Sequence, residues 1–156
     1  MPAIVLENIR SCYNVWNIIR TADALWFDII ISGYTPSPFD NTKVLKTSLG
    51  SEKSVNIYHY YNTKQAIEFT REKYKNLIAA EITNKSISLS DFVKKNNLDT
   101  IAIVFGNEVD GVLPETLNLV DSVVHIDMLW IKESLNVGQT TAIFMREIWK
   151  LIKVKY

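Results

Sequence analysis

Three short polar clusters interrupt a largely apolar chain, and each holds residues able to do chemistry. The first runs from Asn8 to Thr21 and sets Asn14 and Arg20 in a stretch that also carries Val15, Ile18 and Ile19. A guanidinium there offers fixed charge and a fork of N–H donors, suited to a phosphate or a developing oxyanion. The same arginine also fits a plain surface role, its stem lying over apolar neighbours. The second cluster is Gly106-Asn107-Glu108-Val109-Asp110-Gly111, a glycine-bounded acidic loop after an apolar run. Glu108 suits a ligand contact or an ordinary solvated turn. The third is Lys132-Glu133-Ser134-Leu135-Asn136, where Ser134 is either a polar site residue or the cap of a following helix. Taken singly, none of the clusters decides a function.

Common catalytic signatures are missing. The chain has neither G-x-G-x-x-G after its first strand nor G-x-x-x-x-G-K-[ST], and no H-E-x-x-H or G-x-S-x-G. Its single cysteine, Cys12, cannot form an intrachain disulfide, and its two histidines, His59 and His125, lie far apart in sequence. We therefore expect no metal site and, from the cysteine count, a reducing compartment.

The elements that must position these clusters follow from apolar periodicity. Ala3–Leu6, Phe27–Ser32, Val55–Tyr61, Leu77–Ile82, Ile101–Phe105 and Val123–Ile126 read as strands. Helices are predicted over Asn14–Leu25 with Asn14 as cap, Thr63–Tyr74 with Thr63 as cap, Pro114–Leu119 and Ser134–Ile152. Strands alternating with helices predict an α/β domain with a mostly parallel sheet and helices on both faces. Ligands in such sheets sit beyond the carboxyl ends of the strands. The loops Gly33–Thr42, Gly106–Gly111 and Asp127–Glu133 are therefore the candidate site loops.

Composition narrows the class further. At 156 residues, one domain over 1–156 is expected. With 47% hydrophobic and 22% charged residues, whole-chain disorder, collagen and coiled coil are excluded. No run is long enough for a membrane span and the first ten residues lack a signal-peptide core, so a cytoplasmic location is expected. Seventeen basic residues balance seventeen acidic ones. A nucleic-acid partner would thus need a local basic patch, for which Arg10, Arg20, Lys43 and Lys46 are the candidates. Glycine is scarce, at 5 where average usage gives about 11, and tryptophan numbers 4.

In order and spacing, the clusters resemble the three motifs of the TrmH (SpoU) branch of the SPOUT RNA methyltransferases. Asn8–Ala24 is similar to N-x-x-x-x-x-N-V-G-x-I-x-R-T-A-D-A, Val104–Val112 to V-x-G-N-E-x-x-G-[VL], and Ile126–Val137 to I-P-M-x-G-x-x-x-S-L-N-V. Lys46–Ser54 also matches a stretch seen in a subgroup of these proteins. The resemblance covers nearly the whole chain. It departs where Trp16, Trp26 and Trp130 stand at family glycines and Asp127 at a family proline.

The resemblance implies a SPOUT fold with a C-terminal deep trefoil knot, a homodimer, and S-adenosylmethionine as cofactor. The chain then looks like the catalytic domain alone, without an RNA-binding extension. The implied activity is 2′-O-methylation of ribose in tRNA or rRNA. Arg20, Asn14, Glu108, Ser134 and Asn136 would carry catalysis, with Arg20 facing the partner's pocket. Gly106, Ile126, Met128, Ser134 and Leu135 would hold the cofactor. A different reading of the same resemblance is a weak or inactive SPOUT-fold RNA-binding protein. Outside the resemblance stands an α/β small-molecule binder with no link to RNA.

Overall fold

The computed structural model describes residues 1–39, 54–128 and 134–153. Among these residues the chain forms one seven-stranded sheet: β1 (Ala3–Glu7), β2 (Asp28–Ser32), β3 (Ile57–Tyr60), β4 (Asn76–Ala80), β5 (Ile87–Ser88), β6 (Ile101–Phe105) and β7 (Ser122–His125). Every strand pairing is parallel, in the order β3-β2-β1-β6-β4-β7-β5. The helices are α1 (Cys12–Leu25), α2 (Thr63–Lys73), α3 (Leu89–Lys95), α4 (Pro114–Leu117) and α5 (Val137–Lys153).

The strand residues explain the layering. β1, β2 and β6 are buried along their whole length, as expected of central parallel strands covered on both faces. Side chains alternate across the sheet. Ile4, Leu6, Ile29, Ile31 and Ile103 therefore face one cluster, with Val15, Ile18 and Ile19 of α1, Phe92 of α3 and Met145 and Ile148 of α5. Ala3, Val5, Ile30, Ala102 and Val104 face the other, with Ala66 and Ile67 of α2. The predicted α/β class, parallel sheet and two-faced helical cover are observed.

Several local expectations change. The cap of α1 is Ser11, whose Oγ accepts from the Asn14 amide at 3.3 Å. Asn14 lies inside the first turn, and its side chain is free for another role. Asn62, not Thr63, caps α2. The last helix begins at Val137 rather than Ser134, and Asn136 Oδ1 accepts from the Gly138 amide at 2.9 Å, the bond a capping residue makes. The pattern also failed to suggest β5 and α3. The expected loops Gly33–Thr42 and Asp127–Glu133 are only partly within the described residues.

At its far end α1 stops at Trp26, whose backbone is left-handed (φ 64°, ψ 55°). The amide of Phe27 donates back to the Ala22 carbonyl at 3.0 Å, a closure that usually selects glycine. Trp26 holds this glycine-favouring geometry while 68% exposed.

Candidate active site

The site is built where β1, β4, β6 and β7 end. After β6 the chain makes a tight loop: the Asn107 amide donates to the Gly111 carbonyl at 3.1 Å, and the Gly111 amide returns to the Asn107 carbonyl at 3.0 Å. Asn107 Oδ1 accepts from the amides of Val109 at 2.7 Å and Asp110 at 3.1 Å. A side chain at Gly106 would overlap the backbone of Gly111 and Val112, so this closure requires glycine. From below, the buried carboxylate of Glu7 accepts from the Leu113 amide at 2.7 Å and from Thr116 Oγ1. Burial raises the Glu7 pKa, against the opposing pull of those hydrogen bonds.

The loop presents Glu108 to the start of α1. Glu108 Oε2 accepts from the Arg10 amide at 2.9 Å, and Oε1 from the Ser11 amide at 3.1 Å and Asn14 Nδ2 at 2.9 Å. Asn14 is almost fully buried, and its Oδ1 accepts from Asn136 Nδ2 at 3.2 Å. One asparagine therefore joins the three polar clusters. Burial alone would raise the Glu108 pKa, but the hydrogen bonds from Arg10, Asn14, its own amide and Ser11 outweigh it and hold the carboxyl below its ordinary value. A carboxylate so held is a brace rather than a ready proton acceptor.

Beside this junction opens a cavity of about 620 Å³, within the size range of small-molecule sites. Gly106, Glu108, Ile126, Met128, Ser134, Leu135 and Asn136 all line it. The residues expected at a cofactor site are thus brought together. Asn14 lies behind that wall, reaching it through Asn136. Arg20 is elsewhere: exposed on α1, outside the cavity lining, with its guanidinium 5.3 Å from the centre of the Trp16 ring. Arg10 is exposed, and its backbone amide is tied to Glu108. Lys43, Lys46 and Trp130 lie outside the described residues.

Sequence reasoning missed Glu81, which lines the cavity beneath Gly111 and accepts from the amides of Ile82 at 2.8 Å and Val112 at 3.2 Å. Its place just after β4, at a carboxyl end, was the available signal. It also missed how Asp127 is held: Ser88 Oγ donates to Asp127 Oδ2 at 2.8 Å, and His125 Nε2 lies 3.4 Å from Oδ1. Among the described residues no cluster of three or more His, Cys, Asp or Glu could hold a metal, and no helix is long and apolar enough to cross a membrane.

A parallel α/β domain whose strand ends converge on a cavity of this size, walled by a glycine-bounded loop, belongs to the ligand-binding class of doubly covered sheets. Comparison with known proteins specifies which. The sequence model of the SpoU rRNA methylase family matches residues 1–146, and the chain belongs to that family. It is 28% identical over 145 residues to a tRNA (guanosine(18)-2′-O)-methyltransferase of Thermus thermophilus, covering 92% of this chain and 72% of that protein. A protein of the same description from Borreliella burgdorferi is 31% identical over 142 residues, covering 90% of this chain and 62% of that one. Among solved structures, an AdoMet-bound rRNA methyltransferase from Sinorhizobium meliloti superposes with a TM-score of 0.84 at 25% identity, over 97% of this chain and 56% of that one. The TrmH/SpoU resemblance read from the motifs is therefore correct.

Proposed function

We propose that this chain transfers a methyl group from S-adenosylmethionine to a ribose 2′-hydroxyl of tRNA or rRNA. The observation that carries the reading is the Asn14 junction, which binds the three polar clusters together at the wall of the cavity. The cavity suits the cofactor's mixed chemistry: Phe105, Ile126, Leu135 and Phe144 offer apolar wall, while Glu81 and Asn136 offer polar groups. Gly106, Ile126, Met128, Ser134 and Leu135 would hold the cofactor. Bound there, the sulfonium supplies an already activated methyl group.

The protein's part is then positioning and charge. Holding a hydroxyl in line with a bound donor supplies up to about 7–11 kcal/mol of barrier reduction. A guanidinium is a poor base and a good anion donor, so Arg20 serves as a clamp on the developing oxyanion and adjoining phosphate. Asn14, Glu108 and Asn136 fix the geometry of the cavity wall, Ser134 lines the same cavity, and Arg20 would reach the partner's pocket. Glu108 already accepts from Arg10, Ser11 and Asn14, so the leaving proton goes to water or a phosphate oxygen.

In this reading the chain is one methyltransferase domain, cytoplasmic, with a C-terminal trefoil knot. Phe144 of α5 packs edge-on against Phe105 of β6, rings 5.4 Å apart, which brings the last helix beside the strand that leads into the Gly106–Gly111 loop. The working unit is a homodimer. Supporting this, Arg20 stands outside its own cavity, and Tyr13 on α1 with Ile143 and Leu151 on α5 expose apolar surface. Arg10, Arg20, Lys43 and Lys46 of both protomers supply the basic patch for RNA.

Two measurements test the proposal. Calorimetry with S-adenosylhomocysteine should show saturable binding; no heat at millimolar ligand removes the enzyme reading and leaves the RNA-binding one. With unmodified tRNA and rRNA fragments, Arg20→Ala should lower methyl transfer by about 10²–10³-fold, the cost of losing one oxyanion donor, with ligand affinity nearly unchanged. Equal loss of both would misplace Arg20.

A further inference from the structure

We propose that Trp16 is a positioning residue, its indole face the shelf that orients the Arg20 guanidinium; the inference rests on the role given to Arg20 above. Trp16 and Arg20 are four positions apart on α1, one turn, so their side chains meet on the same face. The guanidinium carbon lies 5.3 Å from the ring centre, inside the range of cation–π attraction. Among the described residues no carboxylate pairs with Arg20, so the ring is its one described orienting contact.

The ring also has an aromatic neighbour. Tyr13, one turn earlier, packs against it with ring centres 5.2 Å apart at 53°. Hydrogen bonding does not fix the indole: its Nε1 is buried and has no acceptor among the described residues. An unpaired buried donor is a cost to the fold, and a phenyl ring would avoid it. What Trp16 contributes in return is its π face. A flexible arginine kept against that face loses less rotamer freedom when it engages an anion, which is how pre-organisation raises transition-state binding. Two other residues of the same turn, Asn14 and Asn17, point elsewhere: Asn14 joins the junction, and Asn17 lies towards Gly138.

The test separates shelf from filler by changing the π face and the N–H independently. Trp16→Phe keeps an aromatic face and removes the unpaired donor; Trp16→Leu keeps apolar bulk and removes both. Trp16→Phe should melt at or above the wild-type temperature and retain kcat. Trp16→Leu should lose about two- to fivefold in kcat, the fold-change that corresponds to about 0.5–1 kcal/mol of cation–π attraction, with unchanged affinity for S-adenosylhomocysteine. In an Arg20→Ala background the Trp16→Leu effect should vanish. Equal kcat for the Phe and Leu variants, or an effect that persists without Arg20, overturns the proposal.

Failure of the Arg20 assignment is read separately, as full activity in Arg20→Ala alone. The contact itself is read without RNA. In the proton spectrum the Arg20 side-chain resonances should be displaced by the ring current in wild type and Trp16→Phe, and not in Trp16→Leu. No difference among the three refutes the shelf whatever the activity.

Discussion

Removing the Glu108 carboxylate tests the junction on which the site depends. Glu108→Ala deletes the acceptor for the Arg10 and Ser11 amides and for Asn14 Nδ2. Water can replace the acceptor at the exposed Arg10, but Asn14 is 4% exposed, so its amide is left unsatisfied. A buried orphan of this kind costs about 1–3 kcal/mol. For a domain of this size that is a fall in Tm of about 2–12 °C. Glu108→Gln keeps one oxygen and turns the other position into a donor facing a donor, so it should fall between the two. Because Asn14 also accepts from Asn136 at the cavity wall, affinity for S-adenosylhomocysteine should drop along with stability. Acid sharpens the test. The folded carboxyl is held below its ordinary value of 4.5, so folding releases a proton in that range. The stabilisation is full above the ordinary value and is lost as pH falls through the depressed one. The difference between wild type and Glu108→Ala should therefore shrink below about pH 4.5. Thermal melts from pH 3 to 7 and calorimetry at neutral pH check both parts. A variant with wild-type Tm, or a stability gap that does not narrow on acidification, would refute the reasoning.

Two other substitutions probe backbone constraints. Gly106→Ala places a methyl against the backbone of Gly111 and Val112; it should cost about 1–3 kcal/mol and weaken ligand binding, and an unchanged melt with intact calorimetry would contradict the required closure. Trp26→Gly relieves a left-handed backbone worth about 1–2 kcal/mol, less the roughly 0.5–1 kcal/mol that glycine adds to unfolded-chain freedom. The net gain of up to about 1.5 kcal/mol should raise Tm by up to about 6 °C, and a lower Tm would mean that the exposed indole packs more than its burial suggests.

What the sequence revealed and what it concealed divide along the range of the interactions. The central strands β1, β2 and β6 were legible because burial on both faces leaves a continuous apolar run. α1 and α5 were legible because each is long enough for several turns of apolar spacing. β5, two residues long, and the seven-residue α3 are too short for any period to emerge. The caps failed for a different reason. Ser11 and Asn14 are both capping types, and the pattern alone does not say which one the helix takes. That choice decides the site: with Ser11 capping, Asn14 is left inside the helix as a buried amide that must find partners. It finds them in Glu108 and Asn136, 94 and 122 residues away. No local rule reports such separations; only the ordered motifs grouped these residues, and they did so without saying that Asn14 is the member that touches both others. A polar residue that breaks the apolar stripe of a core helix is thus a conflict between local and global preference, resolved by a functional junction. The orphaned indole of Trp16, two residues further along the same helix, is a conflict of the same kind that the described fold leaves unresolved, which is why its substitutions discriminate between packing and chemistry.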